Sequence, residues 1–570
     1  MIVTIISFGY IFLICLLLGI GVEKLYNHIF MIDKENADYV SVTLLVTQGI
    51  VALTVFVEFF SIFYKVGAIC HIVVLAGIVL AAIACRREVI NVLYSFKYNY
   101  LRKRNLLSFF LIILLAGFFA SRGEYHTDTG IYHAQAIRIL EEYGVVKGIG
   151  NLQLHFAYNS SYLVLCAFFT LSFILPYALH TVTGFFMVLY SCYALNGLLA
   201  WRKHKTHAGD LGRIGILLYS LTIMVRLQSP ATDFGTQFFV MFIFCTWVDW
   251  FEKNANKPEK AKICVTGKLA VMCAFSVSLK LSASAMILLA LYPLFLLVKN
   301  KMWKNICKYL LAGFLVILPF LIRNVIISGW LIYPFEALDL FNVKWKIPVE
   351  YIKKDATQIK VWARCLYDVT KADMSFNEWL PIWFDEKAHY EEMLIYSQFM
   401  AVVLFVYNTV RKALEKKLRF DMTVFYLTVF ANIILWFITA PFIRYGLAFL
   451  LIFPLVTLGD GMQYLSEKTL VTVGLAITFL CINYCSWIDN YFTDNMVFIK
   501  HNLSSGYYFD PIPFEESEMI PVYLDGITVY TCYDEKNSYY YFPGSCYDDM
   551  ISNTKPIGST VKEGFMPIEN

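Results

Sequence analysis

Charge is scarce in this sequence. Of 570 residues only 16% are Asp, Glu, Lys or Arg, against 59% apolar. Soluble globular domains carry about 25% charged residues, so this balance argues against an ordinary solvated domain. The net charge of +4 is too small to argue for a nucleic-acid partner. There are 14 cysteines, yet no CxxC pair or Cys/His cluster has the spacing of a zinc site. Twelve of them precede residue 490, mostly inside apolar runs, where a thiol is an ordinary packing group. Neither a Walker loop nor a GxGxxG fingerprint is present, so nucleotide binding on the cytoplasmic side has no support. Solenoid periods, heptad runs and low-complexity tracts are missing as well.

Long apolar runs are what the chain does have. A helix needs about 17–25 apolar residues to cross the hydrocarbon layer, and about fourteen runs qualify. They are 1–21, 40–64, 66–85, 105–121, 178–200, 213–228, 235–251, 262–279, 281–298, 306–326, 394–410, 421–440, 443–460 and 469–488. The first is expected to be a span and not a cleaved signal. No basic segment precedes it, and Gly19-Ile20-Gly21 is a poor cleavage site. The expected fold class is an all-α polytopic membrane protein.

Lys and Arg mark cytoplasmic loops. They concentrate at 86–104, 201–213, 253–262, 299–308 and 411–419. All five loops share one side only if the chain crosses an even number of times between 104 and 201. The run YNSSYLVLCAFFTLSFIL (158–175) would make three crossings. It opens on polar Asn159, Ser160 and Ser161 and is closed by Pro176, so it is predicted to be a juxtamembrane or re-entrant helix. The outer side then holds 122–177, the short loop SPATDF (229–234), the Trp-rich loop 327–393, and the tail 489–570. The tail has thirteen acidic residues, four Lys and no Arg.

The densest polar stretch beside a span is EYHTDTGIYHAQAIRILEEYG (124–144). Polar groups there are costly unless they face water or a cavity. Ile131, Ala134, Ile137 and Leu140 fall on helical spacing, with Gly144 as the expected C-cap. Asp128 or Thr129 reads as the N-cap of that helix, and Asp128 alternatively as a general base for an acceptor hydroxyl. His126 and His133 read as surface polar residues or as groups that tune Asp128 or hold substrate. Asp233, in the short outer loop, reads as a turn residue or as a partner of Asp128 across one cavity. Arg226, Lys280, Arg323 and Arg444 all sit at outer ends of predicted spans. Each alone is explained by snorkelling, and together they read as ligands for a phosphate.

In the tail, IPVYLDGITVYTC (520–532) reads as a β-hairpin turning at Asp525-Gly526. Cys532 and Cys546 are the tail's two cysteines and the candidate disulfide pair.

HTDTGIYHAQAIRIL (126–140) resembles the Asp-Glu-x-x-Tyr segment that opens the first outer loop of GT-C membrane glycosyltransferases, the superfamily of protein mannosyltransferases and aminoarabinose transferases. Asp128 takes the place of their catalytic Asp. YNSSYLVLCAFF (158–169) stands where their juxtamembrane segment stands, and SPATDF resembles their second acidic loop, with Asp233 as its acid. SGWLIYPFEALDLFNVKWKIP (328–348) and the Cys-containing tail are similar to an uncharacterised group of bacterial multi-span membrane proteins. Thr129 replaces the second acid of the motif, and a Lys-Pro-Pro stretch is missing. No metal ligands are therefore assigned, and a divalent cation stays an open question. The resemblance implies a GT-C-like core at 105–326, after accessory helices at 1–104. The loop 327–393, the spans of 394–488 and the module 489–570 follow. It implies an inner-membrane enzyme that moves a sugar from a polyprenyl-phosphate donor to an extracytoplasmic glycan, lipid or protein. Asp128 would be its base. The alternative is a transporter, flippase or polymerase for cell-surface polysaccharide precursors.

Overall fold

The computed structural model describes residues 1–30, 40–99, 103–122, 125–200, 207–488, 490–505, 508–512, 517–533, 536–537 and 539–568. Among them, eleven helices are long and apolar enough to cross a membrane. These are Ile2–Ile29, Val42–Phe63, Val182–Leu199, Thr232–Asn254, Glu259–Leu279, Leu281–Lys299, Trp303–Ser328, His389–Leu414, Phe420–Thr439, Ile443–Met462 and Thr469–Trp487. The chain is a mostly helical, multi-pass membrane protein with a small strand-containing region near its C-terminus.

Three of the expected fourteen runs are not among these eleven helices. The run 66–85 becomes Ala68–Ala84, which bends by 88° into Arg86–Lys97. The run 105–121 lies in the 19-residue helix Lys103–Ser121, of which Asn105–Ser121 is the apolar part. The run 213–228 lies in the 16-residue helix His207–Thr222, followed by the 3-10 turn Met224–Arg226. Apolar composition identified these segments, but composition carries no information about where a helix breaks.

The run 158–175 folds into the nine-residue helix Ser161–Phe169, too short to cross. All nine residues are buried. The Ser160 hydroxyl caps it by accepting the Tyr162 N–H at 3.2 Å. The Ser161 hydroxyl donates to Glu58 at 2.6 Å, which ties this helix to Val42–Phe63.

Two buried basic side chains are paired with acids, as a low-dielectric interior demands. Lys268 meets Glu23 at 2.6 Å. Arg213 meets Asp210 and Asp249, each at 2.6 Å.

Near the C-terminus, strands β1 (Met519–Leu524) and β2 (Ile527–Cys532) form an antiparallel hairpin. Both turn residues have positive φ, 43° at Asp525 and 89° at Gly526, as a type I′ turn requires. Strand β3 (Gly544–Ser545) lies parallel beside β2, with Thr531 opposite Ser545. Cys532 and Cys546 are the next residues on each side. Neighbouring strands lie about 4.8 Å apart, within the roughly 4.4–6.8 Å Cα separation that disulfides use. The expected outcome under oxidising conditions is a cross-linked Cys532–Cys546 peptide in a digest analysed by mass spectrometry without reduction. Recovery of both cysteines as separate alkylated peptides would count against the pairing.

Candidate functional site

Four charged side chains from four distant parts of the chain meet at one place. Asp128 stands just before the π-helical turn Thr129–His133. Asp233 lies in the first turn of Thr232–Asn254. Lys280 occupies an extended break (φ −161°, ψ 134°) between the helix ending at Leu279 and the 3-10 helix Leu281–Ala290. Arg444 lies in the first turn of Ile443–Met462.

Arg444 is the hub. Its Nη2 donates to Asp128 Oδ2 at 3.0 Å, and its Nε lies 3.7 Å from Asp233 Oδ2. Its Nη1 contacts the His126 ring, and Nη2 also donates to the Tyr445 hydroxyl at 3.1 Å. Asp233 is held on its other oxygen by Lys280. The Lys280 ammonium stands 4.0 Å over the Tyr445 ring, a cation–π contact. Two carboxylates thus face two cations in a mostly buried cluster.

The structure overturns the capping reading of Asp128. Its backbone is already helical (φ −59°, ψ −20°), and its side chain makes no capping bond. The carboxylate points instead at Arg444 and at His126, whose Nδ1 is 3.6 Å away. Asp233 also departs from a simple turn role, since its side chain is only 6% exposed and is held by two cations.

Local chemistry explains the placement. His126 is pinned by its backbone N–H, which donates to Ser229 Oγ at 2.5 Å and so joins the segments that carry Asp128 and Asp233. Its Nδ1 accepts the Asp128 N–H at 3.1 Å. Gly144 ends the helix Ala134–Glu142 at φ 71°, a left-handed C-cap position. A Cβ there would strike the Ser61 and Tyr64 carbonyls. Arg444 is set by its neighbours' backbone. Trp383 Nε1 donates to the Pro441 carbonyl and Trp436 Nε1 to the Phe442 carbonyl, both at 2.8 Å. Gln237 bridges the Tyr445 carbonyl and the Ala448 N–H, both at 2.7 Å. Gln237 lies one turn beyond Asp233, so one face of that helix fixes both ends of the contact. The sequence signal for Gln237 is that spacing, just ahead of the apolar stretch Phe238–Cys245. Nothing in the sequence pointed to Trp383 or Trp436 as supports of Arg444.

The remaining expected residues divide. His133 is 1% exposed, and neither ring nitrogen has a hydrogen-bond partner. Arg226 lies at the exposed edge, close enough for its charge to act on His126. Arg323 lies elsewhere. Its guanidinium donates to Asn159 Oδ1 at 2.7 and 2.9 Å and to Ser61 Oγ at 2.6 Å, beside Glu58. The tryptophans of 327–393 also divide: Trp330, Trp379 and Trp383 are buried, and Trp362 is exposed.

Among the described residues, no group of three His, Cys, Asp or Glu is arranged to hold a metal ion. Burial, the largest single influence, would raise the Asp128 carboxyl, but Arg444 and its neighbours together outweigh it and hold the group below the usual carboxylate range. Burial, with the Arg444 charge adding to it, pushes the His126 imidazole down to about 4. Burial takes His133 down to about 3. The arrangement is therefore an ionised carboxylate, two neutral imidazoles and a cationic hub.

A family model described as Domain of unknown function (DUF8201) matches residues 1–451, which include every residue of this cluster. No curated protein and no solved structure matches the chain.

The histidines predict a pH dependence of stability. Between about 4 and the ordinary value of about 6.5, unfolded His126 and His133 bind protons that the folded forms do not. Their stabilisation is present above about 6.5 and lost as pH falls through that window. Asp128, held low in the folded state, adds slope in the same direction only at the acid end of that window. The unfolding midpoint in detergent should fall between pH 7 and 4.5, and fall less steeply in His126→Gln/His133→Gln. An unchanged slope in the double variant would contradict the neutral assignment.

Proposed function

The chain belongs to the DUF8201 family, and from the geometry of its site we propose that it is an inner-membrane glycosyltransferase of GT-C type. The donor is a sugar on a polyprenyl phosphate, and the acceptor is a hydroxyl of an extracytoplasmic glycan, lipid or protein. The observation that carries this reading is the convergence of Asp128, Asp233, Lys280, Arg444 and His126. A base and a pair of phosphate-binding cations are what such a transfer needs in one place.

In this reaction the acceptor O–H loses its proton to Asp128, and its oxygen attacks the anomeric carbon. The bond from that carbon to the phosphate oxygen breaks, and the polyprenyl phosphate leaves with the electron pair. Lys280 and Arg444 take up the charge on the leaving phosphate. Arg226, at the exposed edge, adds to the field that draws an anionic donor in. Asp233 holds the two cations apart, and His133 offers hydrogen bonds to the bound sugar or acceptor. In the self-paired arrangement Arg444 keeps Asp128 a weak base. A donor phosphate competes for the same guanidinium, which leaves Asp128 a stronger base when donor is bound.

A second reading, a transporter or flippase for polysaccharide precursors, draws on a different observation. The Lys268–Glu23 pair lies inside two spans, and intramembrane charges often mark a transport path. The two readings separate in proteoliposomes, where one predicts sugar transfer and the other movement of an intact lipid-linked sugar.

Asp128→Asn should lower transfer on the order of 10²–10⁴-fold, the contribution of a positioned base, with expression and detergent elution unchanged. Full activity in that variant would remove Asp128 from the base role.

A further inference from the structure

The turn that carries the site is not an ordinary helix start. Thr129–His133 is a π-helical turn, in which the Ala134 N–H reaches back five residues to the Thr129 carbonyl. In an α-helix, residues five apart point about 140° away from each other around the axis. The wider π-turn reduces that angle, so Asp128 and His133 come toward the same side. Two carbonyls of this turn accept hydrogen bonds from outside the helix. Gly130 O accepts the Asn537 backbone N–H at 2.8 Å. Ile131 O accepts Asn537 Nδ2 at 2.8 Å and Gln153 Nε2 at 2.9 Å. Asn537 is itself buried, and its Nδ2 also reaches Gln153 Oε1 at 3.2 Å.

Asn537 belongs to a strap from the tail. Beyond it, Tyr539 donates to buried Glu141. Gln135 bridges the Tyr541 carbonyl at 2.8 Å and the Gly544 N–H at 2.9 Å. Arg138 lies against the rings of Tyr539 and Phe542. These contacts hold the strap on the helix Ala134–Glu142. Asn537 differs from them because it engages the π-turn itself.

We propose that Asn537 is a positioning residue of the site: from the tail, it supplies donors to the π-turn carbonyls and so keeps Asp128 and His133 on one side. Gln153 shares the task from within the membrane-proximal loop. Losing either side-chain donor leaves the half-buried Ile131 carbonyl with fewer partners, and closing the turn to α-helical bonding removes the widening. The inference depends on the Asp128 cluster being the functional site, but its first readout does not require any activity.

The test uses the full-length protein in detergent. Amide hydrogen exchange is followed over 125–135 in the native protein and in Asn537→Ala, Asn537→Asp and Gln153→Ala. Tyr539→Phe is the control, since it loosens the same strap without touching the π-turn. Exchange over 125–135 should rise about tenfold or more in the first three variants and change little in the control. Binding of a polyprenyl phosphate should weaken in the same three. Asn537→Asp preserves shape, so it keeps the test valid if the alanine variant fails to fold. Unchanged exchange at 125–135, or an equal rise in Tyr539→Phe, would overturn the inference. Raised exchange with unaltered polyprenyl-phosphate binding would overturn the positioning role. A native protein that binds no polyprenyl phosphate would instead count against the glycosyltransferase reading, with the exchange result still judging the strap.

Discussion

One guanidinium organises the centre of this protein. Arg444 reaches Asp128, Asp233 and His126, which come from two segments more than 200 residues upstream. A mostly buried carboxylate without a cation is costly, so the two acids and the arginine constrain each other's positions. The supports of Arg444 serve that constraint. Trp383 and Trp436 hold the backbone just before it, and Gln237 holds the backbone just after. Of the Trp-rich loop, Trp383 takes part in this support, while Trp362 is exposed.

The same pairing sets the chemistry. Asp128 beside Arg444 is ionised but weakly basic, and the neutral histidines add no charge. In the proposed reaction an anionic donor changes this balance by taking a share of Arg444 and Lys280. In the proposed reaction, basicity at Asp128 rises only when the phosphate is present, which favours transfer over idle proton exchange. The tail enters the same picture through Asn537 and the π-turn.

Several of these features were legible in the sequence, each for a local reason. Apolar length marked the spans, and loop charge parity singled out 158–175, which folds as a nine-residue buried helix. Asp525-Gly526 marked the hairpin because few residue pairs tolerate two positive φ values. Asp128, Asp233, Lys280 and Arg444 stood out as charges at the ends of apolar runs. What the sequence concealed depends on contacts between distant segments. Asp128 had the spacing of an N-cap, and only Arg444, 316 positions away, shows why its carboxylate turns elsewhere. Arg323 had the same apparent placement as Arg444 but is occupied by Asn159 and Ser61 near Glu58. The bend after Ala84 and the π-turn at Thr129–His133 have no compositional mark.

The central claim is that Arg444 and Lys280 exchange carboxylate partners for a donor phosphate. The most direct measurement is a structure of the full-length protein determined with a polyprenyl phosphate bound. The account predicts the phosphate within hydrogen-bond distance of Lys280 and Arg444, and Asp128 with at least one oxygen released from the guanidinium. A phosphate bound elsewhere, with the Arg444–Asp128 contact intact, would contradict it.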